Sequence, residues 1–220
     1  MSRGWRSRLA GELTSRPLFD EGVEVARNAC VAGASIASAA ISAAAWYSNP
    51  LTGIPALCSC MQLLGTLPRT VRAWQRALGR ASVPCGNSSG RAPGFGFVGP
   101  AQAVEILNAC RRLASSPDGS RVSGCTAFFA KHAEAIGRVS GPLNQVGLAA
   151  LQFVDHQVSV EEAERWYLLC RMRTAIAAAQ RARKGGIAAF PFFTREYAYE
   201  GRWPQPRSFD FEELRKRVGV

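Results

Sequence analysis

Acidic residues are missing from Val25 through Val104, and charge of either sign is missing from Asn28 through Pro68. Histidine is nearly absent as well, with only His132 and His156 in 220 residues. A catalytic metal centre or imidazole-based acid–base chemistry would have to draw on those two side chains, so composition leans away from an enzyme. Lysine supplies three of the 27 basic residues and arginine the rest, which a GC-rich genome explains as well as arginine-specific chemistry does. The seven cysteines are odd in number and irregular in spacing, and no secretory signal peptide precedes them. That excludes a disulfide framework and leaves reduced, mostly buried thiols acting as small hydrophobes. Cys58-Ser59-Cys60 lacks the CxxC spacing and a second pair, so no metal site is expected.

What is present is a basic, foldable chain. The formal charge is +11 and 47% of the residues are hydrophobic, enough for a full core and against wholesale disorder. The charges are segregated. Residues 69–91 carry five arginines and no acid, whereas an ordinary soluble surface intersperses both signs. Arg69, Arg72, Arg76 and Arg80 fall within about 60° of one line on a helix, with Val71, Trp74 and Leu78 on the opposite side. This predicts a basic amphipathic helix, the arginines contacting anionic lipid or a nucleic-acid backbone and the apolar trio inserting into a membrane.

The uncharged stretch divides at Ser48-Asn49-Pro50, a turn signal. Each half approaches the about 20 residues that span a bilayer as a helix, with moderate hydrophobicity. Gly33, Ala37 and Ser38 suit close helix packing, and Trp46-Tyr47 suits a membrane interface. The expectation is an uncharged helical hairpin in or against a bilayer, the alternative being a hairpin buried in protein. The N-terminal Arg3, Arg6 and Arg8 with Trp5 read as a mitochondrial presequence or a membrane-touching arm.

The remaining pattern is helical. Segments are expected from Pro100 to about Leu113, from about Ser123 to Val139, from Gly141-Pro142 to about Gln157, and from the capping box Ser159–Glu162 to about Lys184. In the last of these, Leu168, Met172, Ile176 and Ala179 mark the buried face. Asp210 would cap a short final helix. The fold class is therefore all-α, a helical bundle with basic amphipathic helices. It divides into an N-terminal region 1–83, a Gly/Pro/Ser linker 84–99, a helical region 100–184 and an aromatic, charged tail 185–220.

Two motifs carry no chemistry. Gly94-Phe95-Gly96-Phe97-Val98-Gly99 matches the dinucleotide-binding spacing, but no strand can precede it and Pro100 removes a donor, so no cofactor is expected. Asp155-His156 lacks a nucleophile, and neighbours on a helix point about 100° apart, so no catalytic residue is assigned.

Thr66 to Trp74, with its Leu-Pro-Arg-Thr-Val-Arg core, resembles the amphipathic segment of the peroxisomal biogenesis factor 11 family. Asn144 to Arg173 is similar to that family's late helical pair, through Phe153-Val154-Asp155-His156, Arg165-Trp166 and Cys170-Arg171-Met172-Arg173. The resemblance covers under a fifth of the chain. It implies a protein of the peroxisome or glycosome membrane that remodels or elongates it, with the Arg69–Arg80 helix as the membrane-contacting element and self-association as a partner class. The family's C-terminal hydrophobic anchor has no counterpart in this tail. The second expectation is a soluble helical RNA-binding structural protein, such as an organellar ribosome component or a viral coat protein, with mitochondria as the alternative location.

Overall fold

A computed structural model describes residues 4–14, 21–50, 53–85, 88–96, 98–115 and 124–185. The tail expected to hold an Asp210-capped helix lies outside these residues. Among those described are nine helices and one short hairpin, and the protein is all-α. The helices are α1 (Gly4–Thr14), α2 (Glu21–Val31), α3 (Ile36–Tyr47), α4 (Ile54–Thr66), α5 (Val71–Ala81), α6 (Pro100–Ala114), α7 (Cys125–Ser140), α8 (Gln145–Asp155) and α9 (Val160–Gly185). Strands β1 (Val83–Cys85) and β2 (Ser88–Arg91) pair antiparallel, with Val83 opposite Arg91. No helix among the described residues is long and apolar enough to cross a membrane.

The centre of the molecule is α8, buried on every side from Gln145 to Phe153. Its residues (Val146, Leu148, Ala149, Ala150, Leu151) are apolar all round, as a helix surrounded by protein requires. Asn144 caps its start by accepting from the Gly147 N–H at 3.0 Å. It ends in a Schellman motif, in which Val158 N–H reaches Phe153 O at 2.9 Å while Gln157 sits at φ 52°. Ser159 then caps α9 by accepting from Glu162 N–H at 3.2 Å. The reciprocal half of the expected capping box does not form, because the Glu162 carboxylate pairs with Arg6 of α1 instead.

The two halves of the uncharged stretch are both helical, but they pack into different places. α4 lies against α8 and α9, burying Ala56, Leu57, Cys60, Met61 and Leu64 in the main core. α3 packs on α2 and α9 in a second cluster built from Ala39, Ala43, Ala26, Ala175 and Ala179. Small side chains let three helix backbones approach closely, and protein supplies the neighbours that the membrane reading gave to lipid. The residues singled out for close packing are not the ones that do it: Ala37 and Ser38 are exposed, and Gly33 forms the α2–α3 turn at φ 95°. Tyr47 is buried over Gly22, while Trp46 is 37% exposed.

Part of the segment expected to be a linker belongs to the core. Ala92 and Phe95 are buried, and the chain from Gly94 to Gly96 is stitched to the entry of α8. Asn144 N–H donates to Gly94 O at 3.1 Å, Gly96 N–H donates to Pro142 O at 2.6 Å, and Phe95 bridges Leu143. Gly94 serves close backbone approach, since a Cβ there would lie 2.9 Å from Gly147 Cα. The buried face of α9 runs through Ala163, Tyr167, Cys170, Arg171, Ala175, Ala178, Ala179 and Ala182; of the expected residues Ala179 is buried, while Leu168, Met172 and Ile176 are only partly covered.

α1 is docked on α9, α6 and α8, with Leu9 and Leu13 in the core and Trp5 stacked on His156 at 4.3 Å between centroids. Asp155 does not orient His156; its carboxylate accepts from the backbone N–H groups of Cys125 and Thr126, the latter at 2.9 Å, and so caps α7 from a distance. Burial lowers the His156 pKa, with Arg8 acting in the same direction and Asp155 opposing both. The unfolded chain therefore binds a proton to this ring first as pH falls, so the stability of the folded state declines from the ordinary histidine pKa downward. The urea midpoint is expected to drop between pH 7.5 and pH 5, and His156→Gln to flatten that part of the drop.

Candidate anionic interface

The arginine helix begins at Thr70, whose side chain accepts from Ala73 N–H at 3.4 Å. From there the 3.6-residue repeat sends two residue classes to opposite sides of α5. Trp74 and Leu78 point into the core and are fully buried, and Val71 is half-buried beside them. Trp74 lies 5.2 Å from Phe128 and 6.3 Å from Phe129, centroid to centroid. This overturns the membrane-inserting face expected for Val71, Trp74 and Leu78. The same apolar stripe that fits acyl chains fits another helix, and α7 supplies it. Two further contacts hold α5 against α7: Gln75 Nε2 donates to Ala135 O at 2.7 Å, and Gly79 faces Val139.

The opposite side of α5 is a cationic ridge. Arg72, Arg76 and Arg80 are exposed, and none has an ion-pair partner among the described residues. Arg69 is exposed too but is already engaged; it stands near the start of α7, where its charge partly offsets the burial-driven rise in the Cys125 thiol pKa. All four arginines expected to act together are exposed, and Arg69 differs from the other three in being engaged already. On α7 the exposed Arg138 pairs with Glu134 at 2.7 Å, whereas the three α5 arginines have no such partner among the described residues. A surface so composed attracts polyanions through long-range potential and gains little from internal pairing.

A second feature escaped the sequence reading. Arg171 is buried at the junction of α1, α8 and α9, donating to Leu13 O at 3.1 Å and to the Gln145 side chain, with its guanidinium 5.7 Å from the Tyr167 ring centroid. It borders a cavity of about 480 Å³ that also reaches Tyr47 and the first turn of α6. The signal was available: Arg171 falls on the i, i+4 line through Ala163, Tyr167 and Ala175. A buried guanidinium with several hydrogen bonds ties the three helices in one register.

Among the described residues six cysteines are free, and burial pushes Cys60 and Cys110 up to about 12, far from the thiolate range needed for nucleophilic attack. No three His, Cys, Asp or Glu side chains converge among the described residues. In comparisons with known proteins, no family model, no curated protein and no solved structure matches the chain.

Proposed function

We propose that this protein binds an anionic membrane surface and remodels or elongates it, at the peroxisomal or glycosomal membrane that its family resemblance implies. The observation that carries the reading is the Arg72–Arg76–Arg80 ridge, exposed, unpaired among the described residues and fixed by an opposite face on which Trp74 and Leu78 are fully buried. Each such cation near anionic headgroups contributes about 1 kcal/mol, falling off within a Debye length. A second observation supports lipid over other polyanions. The outer face of α3, in the uncharged stretch, exposes Ala37, Ala45, Trp46 and Ile41, the last at 70%, with no charged residue to hold water. Shallow insertion of that face, in place of the buried α5 stripe, is the wedge that would spread headgroups and favour curvature.

Flotation with phosphatidylserine-containing vesicles tests this. Arg72→Gln, Arg76→Gln and Arg80→Gln together are expected to weaken binding by on the order of 100-fold at low salt, from three contacts of about 1 kcal/mol each. Wild-type flotation should survive high salt in part through α3. Tight RNA binding with a steep salt slope and no flotation would favour the soluble RNA-binding reading instead.

A further inference from the structure

The α6 and α7 helices meet along faces made of small residues: Ala103 on one, Ala130, Ala133 and Gly137 on the other. Side chains this short cannot fill the space between two helix ridges, and a trough of about 660 Å³ remains. Its floor is apolar, built from Phe129, Leu143 and Leu107, and one lip is Val104, an aliphatic side chain left 59% exposed. The wall is bent where His132 leaves helical geometry at φ −116° and ψ 17°.

Charge decides what fits there. The rim carries Arg111 from α6 and Lys131 and Arg138 from α7, against the single acid Glu134. Lys131 and Arg138 lie seven residues apart on one side of α7, about 10 Å at the helical rise. A second helix lying along the trough meets both and also covers the floor, since it places carboxylates at the same two-turn interval while apolar residues at i, i+3, i+4 and i+7 enter the floor.

We propose that the α6–α7 trough is a docking site for an acidic amphipathic helix of a protein partner. The partner's apolar stripe covers Val104, Leu107 and Phe129, and its carboxylates meet Arg111, Lys131 and Arg138. This surface is separate from the Arg72–Arg76–Arg80 ridge, and its assignment does not rest on the membrane reading.

The test uses the full chain and a fluorescent helical peptide of about 12 residues, Leu at i, i+3, i+4 and i+7 and Glu elsewhere. A second peptide carries Lys at every Glu position. The Glu peptide is expected to bind at least about tenfold tighter than the Lys peptide, as opposite rim charges require. Val104→Asp, at an exposed position that leaves the core untouched, should cut Glu-peptide binding at least about tenfold. Lys131→Glu with Arg138→Glu should reverse the preference. Circular dichroism and the urea midpoint confirm that both variants remain folded. Equal binding of the two peptides, or Glu-peptide binding that Val104→Asp leaves unchanged, overturns the proposal. So does failure of the peptide to bind while Val104→Asp abolishes flotation with phosphatidylserine vesicles, which would assign the trough to an acyl chain. A change in oligomeric state caused by Val104→Asp, without peptide binding, would assign it to a second copy and overturns it equally. Loss of vesicle binding in the Arg72, Arg76 and Arg80 variant has no bearing on these outcomes.

Discussion

Gly147→Ala is expected to lower stability by about 3 kcal/mol or more, a severe effect for a single added methyl group. Gly147 lies in the first turn of α8, and a Cβ placed there would sit 2.2 Å from Gly94 O and 2.6 Å from Leu143 Cδ1. The oxygen cannot retreat. Gly94 O already accepts from Asn144 N–H, and the strand-like bridge between Phe95 and Leu143 pins the segment on both sides. Relief would require pulling Phe95 from the core, where it packs 5.9 Å from Phe129. Gly94→Ala should be similarly severe, because its φ of 82° adds left-handed strain of about 1–2 kcal/mol to a contact 2.9 Å from Gly147 Cα. Gly65→Ala is the control. It lies on the exposed side of α4 with nothing within 4 Å of its Cβ position, and should stabilise by roughly 0.5–1 kcal/mol. Urea titration of the three variants reads the comparison. A loss below about 1 kcal/mol for Gly147→Ala would mean that residues 92–96 do not pack on α8.

Trp74→Ala is expected to cost about 3–5 kcal/mol, the range for emptying a fully buried aromatic site. It should leave vesicle binding by the remaining folded protein nearly unchanged. A membrane-inserting tryptophan would do the reverse, losing vesicle binding with little change in stability. Trp74 closes the space between α5 and α7 against Phe128 and Phe129, so its removal leaves a cavity bordered by two rings that cannot collapse together. The indole N–H has no hydrogen-bond partner among the described residues. Trp74→Phe relieves that donor, worth about 1–3 kcal/mol, while giving up some packing, and should fall within about 1 kcal/mol of the parent. Denaturation midpoints together with flotation distinguish the two roles.

Much of the secondary structure was legible from the chain alone. Ser159 before α9 and Pro100 at the start of α6 are local signals, read within four residues of themselves. The exposed ridge of Arg72, Arg76 and Arg80 was legible for the same reason. A guanidinium without a counter-charge is driven to solvent whatever the fold, so periodicity alone places it outside. Arg171 departs from that rule through partners far away in sequence, on other helices, which a linear pattern cannot show.

The destination of the apolar surfaces belonged to the tertiary structure. Trp74, Leu78 and the Ala-rich turns of α3 and α4 carry the same hydrophobic pattern whether their neighbour is an acyl chain or a packed helix, since both media are dry and of low dielectric. Only the assembled bundle, with α7 lying over Trp74 and α8 over Leu57, decides between them. The Gly94–Gly96 segment follows the same logic, because a glycine run that looks flexible becomes rigid once another backbone needs the room its missing side chains leave. By itself the sequence determined the all-α class, most of the helices from the arginine helix onward and the side on which charge accumulates, all set by interactions within a turn or two. Contacts between distant helices decided which apolar faces were already covered, and so left the arginine ridge, the outer side of α3 and the α6–α7 trough as the surfaces open to other molecules.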